Sequence, residues 1–171
     1  MAISFDTLHG FLIGIHIVTG TLSLLLAWPA LFVLKRRGAH TLIGRVYAIS
    51  MVTLCLSTFG LFAMAPAELI GLGILGVLTF GWVTGGVWMA RRKPRLRVGN
   101  WYVWHLNLMS SSVIAAVTAF AVQMFDGHIA AWLVPTLLGS PLISYRTAIA
   151  TGAPLPWPGR PRRSRHSVHA S

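Results

Sequence analysis

Five stretches of this chain contain no Asp, Glu, Lys or Arg, and each is close to or longer than the roughly 20 apolar residues that a helix needs to cross a bilayer. They cover residues 11–34, 46–67, 69–90, 98–125 and 127–145. Only 10% of the residues are charged, whereas a soluble domain carries about 25%. The sequence therefore predicts an all-α, polytopic integral membrane domain of five transmembrane helices over residues 1–151.

The charged residues predict how this domain is oriented, because Lys and Arg in short loops stay on the cytoplasmic side. With five spans, all 14 Lys and Arg fall on one face, and the three acids, Asp6, Glu68 and Asp126, fall on the other. We therefore expect the amino terminus outside and the carboxyl terminus in the cytoplasm. The fifth stretch is the shortest and contains Pro135 and Pro141, but a four-span chain would divide the basic clusters between two sides.

Residues 152–171 combine four prolines with four arginines and cannot build an apolar core. We expect a disordered, basic cytoplasmic tail, which either acts as a topology anchor, the role we favour, or contacts anionic lipid headgroups. The net charge of +11 would suggest nucleic acid in a polar chain, but this chain is apolar. The expected partner is the lipid bilayer and not nucleic acid.

Histidine is the residue type that most suggests chemistry, because imidazole inside a membrane is costly and therefore tends to be functional. Two histidines on neighbouring helices could hold b-type haem. The candidate ligands are His16, His40, His105 and His128, and Arg45 is a candidate partner for a haem propionate. No metal other than haem iron is expected, and electron transfer is the function that this cofactor would support.

Depth argues against simple pairing of these histidines, since a helix rises about 1.5 Å per residue. His105 lies seven residues beyond Val98, roughly 10 Å into its span, whereas His40 precedes the second span and is expected at headgroup level. His16 and His128 are staggered in the same way on the outer side. At these depths, neither pair ligates one iron unless a helix tilts or starts at a different residue.

Hydrogen bonding between helices is the structural alternative for the same histidines. In that case His105 bonds with Asn107 and Ser112, and His16 bonds with Thr19 or with a neighbouring helix.

The fourth stretch has the densest polar content, and its side chains allow two interpretations. They could hydrogen-bond between packed helices, or they could line a polar path in a small transporter or channel. The candidates are Asn107, Ser111, Ser112 and Thr118. The absence of intramembrane carboxylates disfavours an ion-coupled carrier and leaves no catalytic residue to assign, so whether the protein is an enzyme stays open.

Small residues recur at helical spacing, in Gly10-x-x-x-Gly14 and Gly81-x-x-x-Gly85. Such patterns let helix backbones approach closely, either within one chain or between chains. They are compatible with a third class of function, an accessory protein that presents its glycine-rich third helix to a homodimer mate or another membrane-complex partner.

Four signatures mark a resemblance over about residues 8–145. They are His16-x-x-x-Gly20, His40-x-x-x-Gly44-Arg45-x-Tyr47, His105-x-x-x-Met109-x-x-Ser112-x-Ile114-Ala115-Ala116-x-Thr118-Ala119-Phe120 and Trp132-x-x-Pro135-x-x-x-Gly139-x-Pro141-x-Ile143. With these motifs the chain resembles a family of small bacterial integral membrane proteins that is catalogued only as a domain of unknown function. The resemblance implies a polytopic helical protein of the bacterial inner membrane, in which these histidines tend to be present, and it supplies no reaction. The basic tail departs from the family pattern.

Overall fold

The computed structural model describes residues 5–32, 38–97 and 99–152, and these residues form five α-helices and no strand. The helices are α1 (Phe5–Phe32), α2 (Ala39–Met64), α3 (Pro66–Arg92), α4 (Trp101–Met124) and α5 (Ile129–Thr151). The all-α prediction is confirmed. The predicted tail beyond Gly152 and the basic residues 35–37 lie outside the described residues.

Four of the described helices, α1 to α4, are long and apolar enough to cross a membrane. Helix α5 does not meet the same measure of length and hydropathy. It contains Pro135, Pro141 and Arg146 together with several hydroxyl side chains, and these lower its hydropathy. The prediction of five helices is therefore confirmed, whereas a membrane-spanning role is shown by length and composition for four of them.

Two helix starts differ from the charge-free stretches that predicted them. Helix α2 begins at Ala39, seven residues before the predicted span, and it includes Arg45. A long arginine side chain can extend its charged group away from an apolar helix surface, so a charge does not end a helix. Helix α4 begins at Trp101 because the Asn100 side chain accepts a hydrogen bond from the Tyr102 backbone N–H, at 3.2 Å, and caps it.

Helices α1 to α4 form a closed ring, because α1 packs on α2, α2 on α3, α3 on α4, and α4 on α1. Helices α2 and α4 therefore lie opposite one another across the ring, and the backbone of α5 contacts that of α4 alone among the described helices. The connections are short, so successive helices reverse direction, and α2 runs parallel to α4. We call the end with Asp6, Glu68 and Asp126 the acidic end, and the end with Arg91, Arg92 and Arg146 the basic end.

The core of the ring is small and is centred on Tyr47 and Met51 of α2, with Ala27 of α1 and Val83 of α3 packed around them. Most of the large apolar side chains instead point outward; Leu138, for example, is 72% exposed. A soluble protein rarely exposes apolar surface on this scale. The outward faces of the helices therefore suit a lipid environment.

Glycines on α3 allow side chains of neighbouring helices to reach its backbone. A Cβ atom at Gly73 would lie 2.7 Å from Cδ2 of Phe62, and one at Gly71 would lie 2.9 Å from the ring of Trp132. At Gly81, in contrast, a Cβ atom would meet no described atom within 4 Å. The glycines of α3 therefore divide into positions that packing requires and positions with open space.

Candidate functional site

A hydrogen bond between Tyr47 of α2 and Ser112 of α4 crosses the centre of the ring. Their oxygens are 2.9 Å apart, and both residues are almost fully buried, at 2% and 0% exposed. The Ser112 hydroxyl donates its own hydrogen to the Met109 carbonyl, at 2.7 Å, so the Tyr47 hydroxyl donates to Ser112. This bond fixes the alignment of α2 with α4.

His40 and His105 have equivalent positions in the sequence relative to this bond. His40 precedes Tyr47 by seven residues and His105 precedes Ser112 by seven, so each histidine lies two helical turns, about 10 Å, closer to the basic end. Residues that are seven positions apart also lie on nearly the same face of a helix. The two half-buried histidines therefore lie on the same side of that bond, on the helix faces that carry Tyr47 and Ser112, and we call this part of the ring the histidine level.

The helix starts differ from the positions that were used to predict the depths of His40 and His105 from the sequence. The sequence-based depths were counted from the charge-free stretches, which begin at Val46 and Val98. The helices begin at Ala39 and Trp101, so both histidines lie within the first two turns of parallel helices. Counted from these starts, His40 lies one residue and His105 four residues inside its helix, so the mismatch of the inner pair is smaller than the sequence-based count and stays a prediction.

The ring of His105 is held by the backbone of α3. Its Nδ1 lies 2.8 Å from the Gly86 carbonyl oxygen, and since a carbonyl only accepts, Nδ1 carries the hydrogen and donates. In the neutral ring, Nε2 then keeps its lone pair. Metal-binding histidines characteristically donate their second ring nitrogen to such a carbonyl, which fixes the tautomer and the ring orientation. The bond to Gly86 replaces the expected bonds to Asn107 and Ser112.

Small residues keep space beside this histidine level. Gly44 lies one turn beyond His40 on α2, and a Cβ atom there would meet no described atom within 4 Å. Gly86, which holds His105, is buried, and the Met109 side chain of α4 packs against it, with Sδ 2.7 Å from the position a Cβ atom would take. The open space beside the histidine level therefore lies at Gly44 of α2.

His16 has a packing role on the side of the ring toward the acidic end. Its Nδ1 lies 3.2 Å from the Ser57 hydroxyl and 3.4 Å from the Thr58 hydroxyl of α2. Both hydroxyls donate to the Leu54 carbonyl, so the His16 Nδ1–H is the donor to their oxygens. The expectation that His16 bonds to a neighbouring helix is confirmed.

His128 is not brought together with His16. It is exposed and forms the amino-terminal cap of α5, where its Nδ1 accepts the Ala130 backbone N–H at 3.2 Å. His16 lies level with Ser57, seven residues or about 10 Å below the end of α2 at Met64, whereas His128 lies at the acidic end itself.

Arg45, the candidate propionate partner, is exposed and lies about 140° around α2 from His40. The structure therefore directs it away from the histidine level between α2 and α4.

The polar residues of α4 divide between two faces. Ser112 faces α2, whereas Asn107 faces α5 and donates from Nδ2 to the Thr147 hydroxyl at 3.1 Å and to the Val103 carbonyl at 2.8 Å. Ser111 and Thr118 follow Asn107 at helical spacing and line a cavity between α3, α4 and α5. The four candidates for a polar path thus do not share one lining.

Sequence reasoning missed the other walls of that cavity, which include Trp82 of α3 and Trp132 and Ser140 of α5. These residues are far apart in the sequence, and only the packing of α5 on α4 brings them together. The Trp132 and Pro135 signature was the one available signal, and it gave no indication of a cavity.

Within the described residues there is no group of three or more His, Cys, Asp or Glu side chains that could hold a metal ion, and Cys55 is a buried free thiol. A haem needs only two protein ligands, so this finding does not bear on it. Comparison with protein-family models, curated proteins and solved structures finds no match to this chain. The functional argument therefore depends on the geometry of the chain itself.

Proposed function

We propose that this chain is a five-span bacterial inner-membrane protein that binds b-type haem between His40 and His105 and transfers electrons. The observation that supports the proposal is the Tyr47–Ser112 hydrogen bond, because His40 and His105 each lie seven residues before one of its partners on parallel helices. Two opposed imidazoles on opposite helices of a ring are the ligand set that a flat macrocycle needs.

The residues around this level suit the role. The Gly86 carbonyl fixes His105 in the tautomer with Nε2 available, and Gly44 leaves space one turn from His40. When bound between two histidines, haem supplies a one-electron carrier whose potential depends on burial and on hydrogen bonds to its ligands. The protein's part is to orient the two rings, to keep water out with the buried Tyr47 and Met51 above them, and to hold the Nδ1 proton of His105 on Gly86.

The proposed topology places the basic end in the cytoplasm and includes α5 as the fifth span. Leu137 and Leu138 of α5 are mostly exposed, as expected for a surface that meets lipid. Counting α5 as a span also keeps the basic residues of the α3–α4 connection on the same side as Arg146. The histidine level then lies near the cytoplasmic face, where a soluble electron donor or acceptor could approach it.

An absorption spectrum of the detergent-purified protein, made in cells that supply haem, tests the proposal. We expect a strong Soret band that shifts and sharpens on reduction with dithionite. His40→Ala and His105→Ala should each abolish the reduced low-spin spectrum, whereas His128→Ala, which removes an exposed cap, should retain it. His16→Ala should lower thermal stability and keep the spectrum.

Size-exclusion chromatography shows whether each variant is folded. A colourless, monodisperse wild-type preparation from haem-replete cells would refute the proposal, as would a coloured His40→Ala, His105→Ala double variant.

An accessory protein or homodimer is the second candidate function. Gly10 and Gly14 of α1 are exposed, and a Cβ atom at either would meet no described atom within 4 Å, so this small-residue pattern is not used by the helices described. Site-specific cross-linking from Gly10→Cys in native membranes would distinguish the two functions, because haem binding within one chain needs no partner at that face.

A further inference from the structure

A cavity of about 240 Å³ lies between α3, α4 and α5, on the far side of α4 from Tyr47. Helices α3 and α5 have no backbone contact with one another and form its two walls, while α4 forms its floor. The Trp132 ring closes one end by lying against Gly71 of α3. The cavity is therefore bounded by three helices and opens between α3 and α5 toward the surroundings of the bundle.

One polar group on the floor of this cavity has no partner among the described residues. Thr118 is only 4% exposed, and its hydroxyl makes no hydrogen bond there. A threonine within a helix ordinarily donates to the carbonyl four residues earlier, as Thr79 does to Leu75 at 2.7 Å. Leaving a buried hydroxyl unsatisfied is unfavourable. Because the Thr118 side chain lines the cavity, a rotation about its Cα–Cβ bond would turn the hydroxyl toward a molecule bound there and satisfy it.

The other lining residues restrict what that molecule can be. No charged side chain lines the cavity, and Ser111, Thr136 and Ser140 add hydroxyls to that of Thr118. Trp82 and Trp132 supply flat apolar surfaces against which a ring can stack. The lining therefore suits an uncharged, planar group that carries hydrogen-bond acceptors and enters from lipid.

The volume of the cavity further limits which molecules it can hold. A protein cavity of about 150 Å³ holds one benzene molecule, so about 240 Å³ holds one ring with several small substituents and is too small for a porphyrin. An acyl chain would fill the space but would leave the Thr118 hydroxyl without an acceptor.

We propose that this cavity binds the carbonyl-bearing ring of a lipid-soluble quinone, with the Thr118 hydroxyl donating to one ring oxygen and the isoprenoid tail leaving between α3 and α5 into lipid. The assignment rests on the cavity alone and does not depend on haem between His40 and His105. It concerns binding and includes no redox step.

The test uses the full chain in lipid nanodiscs, with 2,3-dimethoxy-5-methyl-6-decyl-1,4-benzoquinone as the probe and decylbenzene as a tail-only control. Binding is measured as saturable tryptophan quenching and as a rise in the midpoint of thermal unfolding. Three variants are compared: Thr118→Val, which keeps the shape and removes the hydroxyl; Ala115→Leu, which fills the floor of the cavity; and Thr84→Val, whose exposed hydroxyl bonds within α3 at 2.7 Å.

We expect saturable binding in the wild type and in Thr84→Val, about tenfold weaker binding in Thr118→Val, and none in Ala115→Leu. Without the quinone, Thr118→Val should be at least as stable as the wild type, because the Thr118 hydroxyl makes no hydrogen bond within the described residues that the substitution could remove. This last measurement separates a ligand-facing hydroxyl from a structural one.

Three results would overturn the assignment. Quenching that is unsaturable, or unchanged in Ala115→Leu, would mean that the probe only partitions into lipid. Equal stabilisation by decylbenzene would mean that the cavity accepts an apolar chain. A dimer cross-linked through Thr136→Cys that excludes the probe would mean that a second copy of the chain occupies the opening.

Discussion

Substitution of Gly73 by alanine tests the packing of α2 against α3 at the point where the fold allows least adjustment. The new Cβ atom would lie 2.7 Å from Cδ2 of Phe62, 3.0 Å from its Cε2 and 3.1 Å from its Cγ. An aromatic ring cannot bend away from such a contact. The two helices are joined by Ala65 alone, so they cannot separate easily near this position.

Overpacking of this kind typically destabilises a protein by about 1–3 kcal/mol. Alanine also favours a helix over glycine by up to about 1 kcal/mol, which offsets part of the loss. We therefore expect Gly73→Ala to lower the free energy of unfolding by about 1–2 kcal/mol.

Gly81→Ala is the matched control on the same helix, because a Cβ atom there meets no described atom within 4 Å. It should leave the free energy of unfolding unchanged or raise it by a few tenths of a kcal/mol. Both variants can be compared by reversible unfolding in mixed dodecyl sulfate micelles, followed by tryptophan fluorescence. If the two variants were equally stable, the close approach of Phe62 to α3 would be refuted.

Three further outcomes are expected. In fusions to alkaline phosphatase, a junction after Lys93 should be inactive and one after Asp126 active; the reverse at either junction would contradict the proposed topology. Tyr47→Phe and Ser112→Ala should each cost about 0.6–1.7 kcal/mol in unfolding, and a double-mutant cycle should show that the two losses are not additive. Glu68→Gln and Asp126→Asn alter exposed groups at the acidic end and should change stability by less than about 0.5 kcal/mol, so a large loss at either would reveal an unrecognised site.

The membrane-like architecture could be predicted from the sequence because charge is excluded from long stretches, and α1 to α4 follow those stretches closely. The residues at which α2 and α4 begin could not be predicted in this way, because Arg45 lies inside α2 and the Asn100 cap determines where α4 begins. Errors of a few residues at these two positions changed the inferred depths of His40 and His105 by several ångströms. Helical alignment depends on contacts between helices, and the Tyr47–Ser112 bond joins residues that are 65 positions apart.

The cavity was beyond sequence reasoning for a related reason. Ser111 and Thr118 were recognised as polar positions, but the face they occupy depends on where α5 docks. Asn107 illustrates this, because its bond to Thr147 ties α4 to α5 and turns the polar stripe away from the centre of the ring. The role of a row of polar residues on one helix therefore depends on which helices pack against that row.

The Tyr47 hydroxyl also determines which of several similar packings the ring adopts. Apolar helices rich in small residues can slide past each other by a whole turn with little change in buried area. A slip of α2 by one turn along α4 would place the hydroxyl opposite Leu108 or Ala116, neither of which offers a side-chain acceptor. A phenol left without an acceptor in such a place costs about 1–3 kcal/mol, a factor of roughly 5 to 150 in population. This one buried hydrogen bond thus favours the observed vertical alignment of α2 and α4 over alignments shifted by one turn.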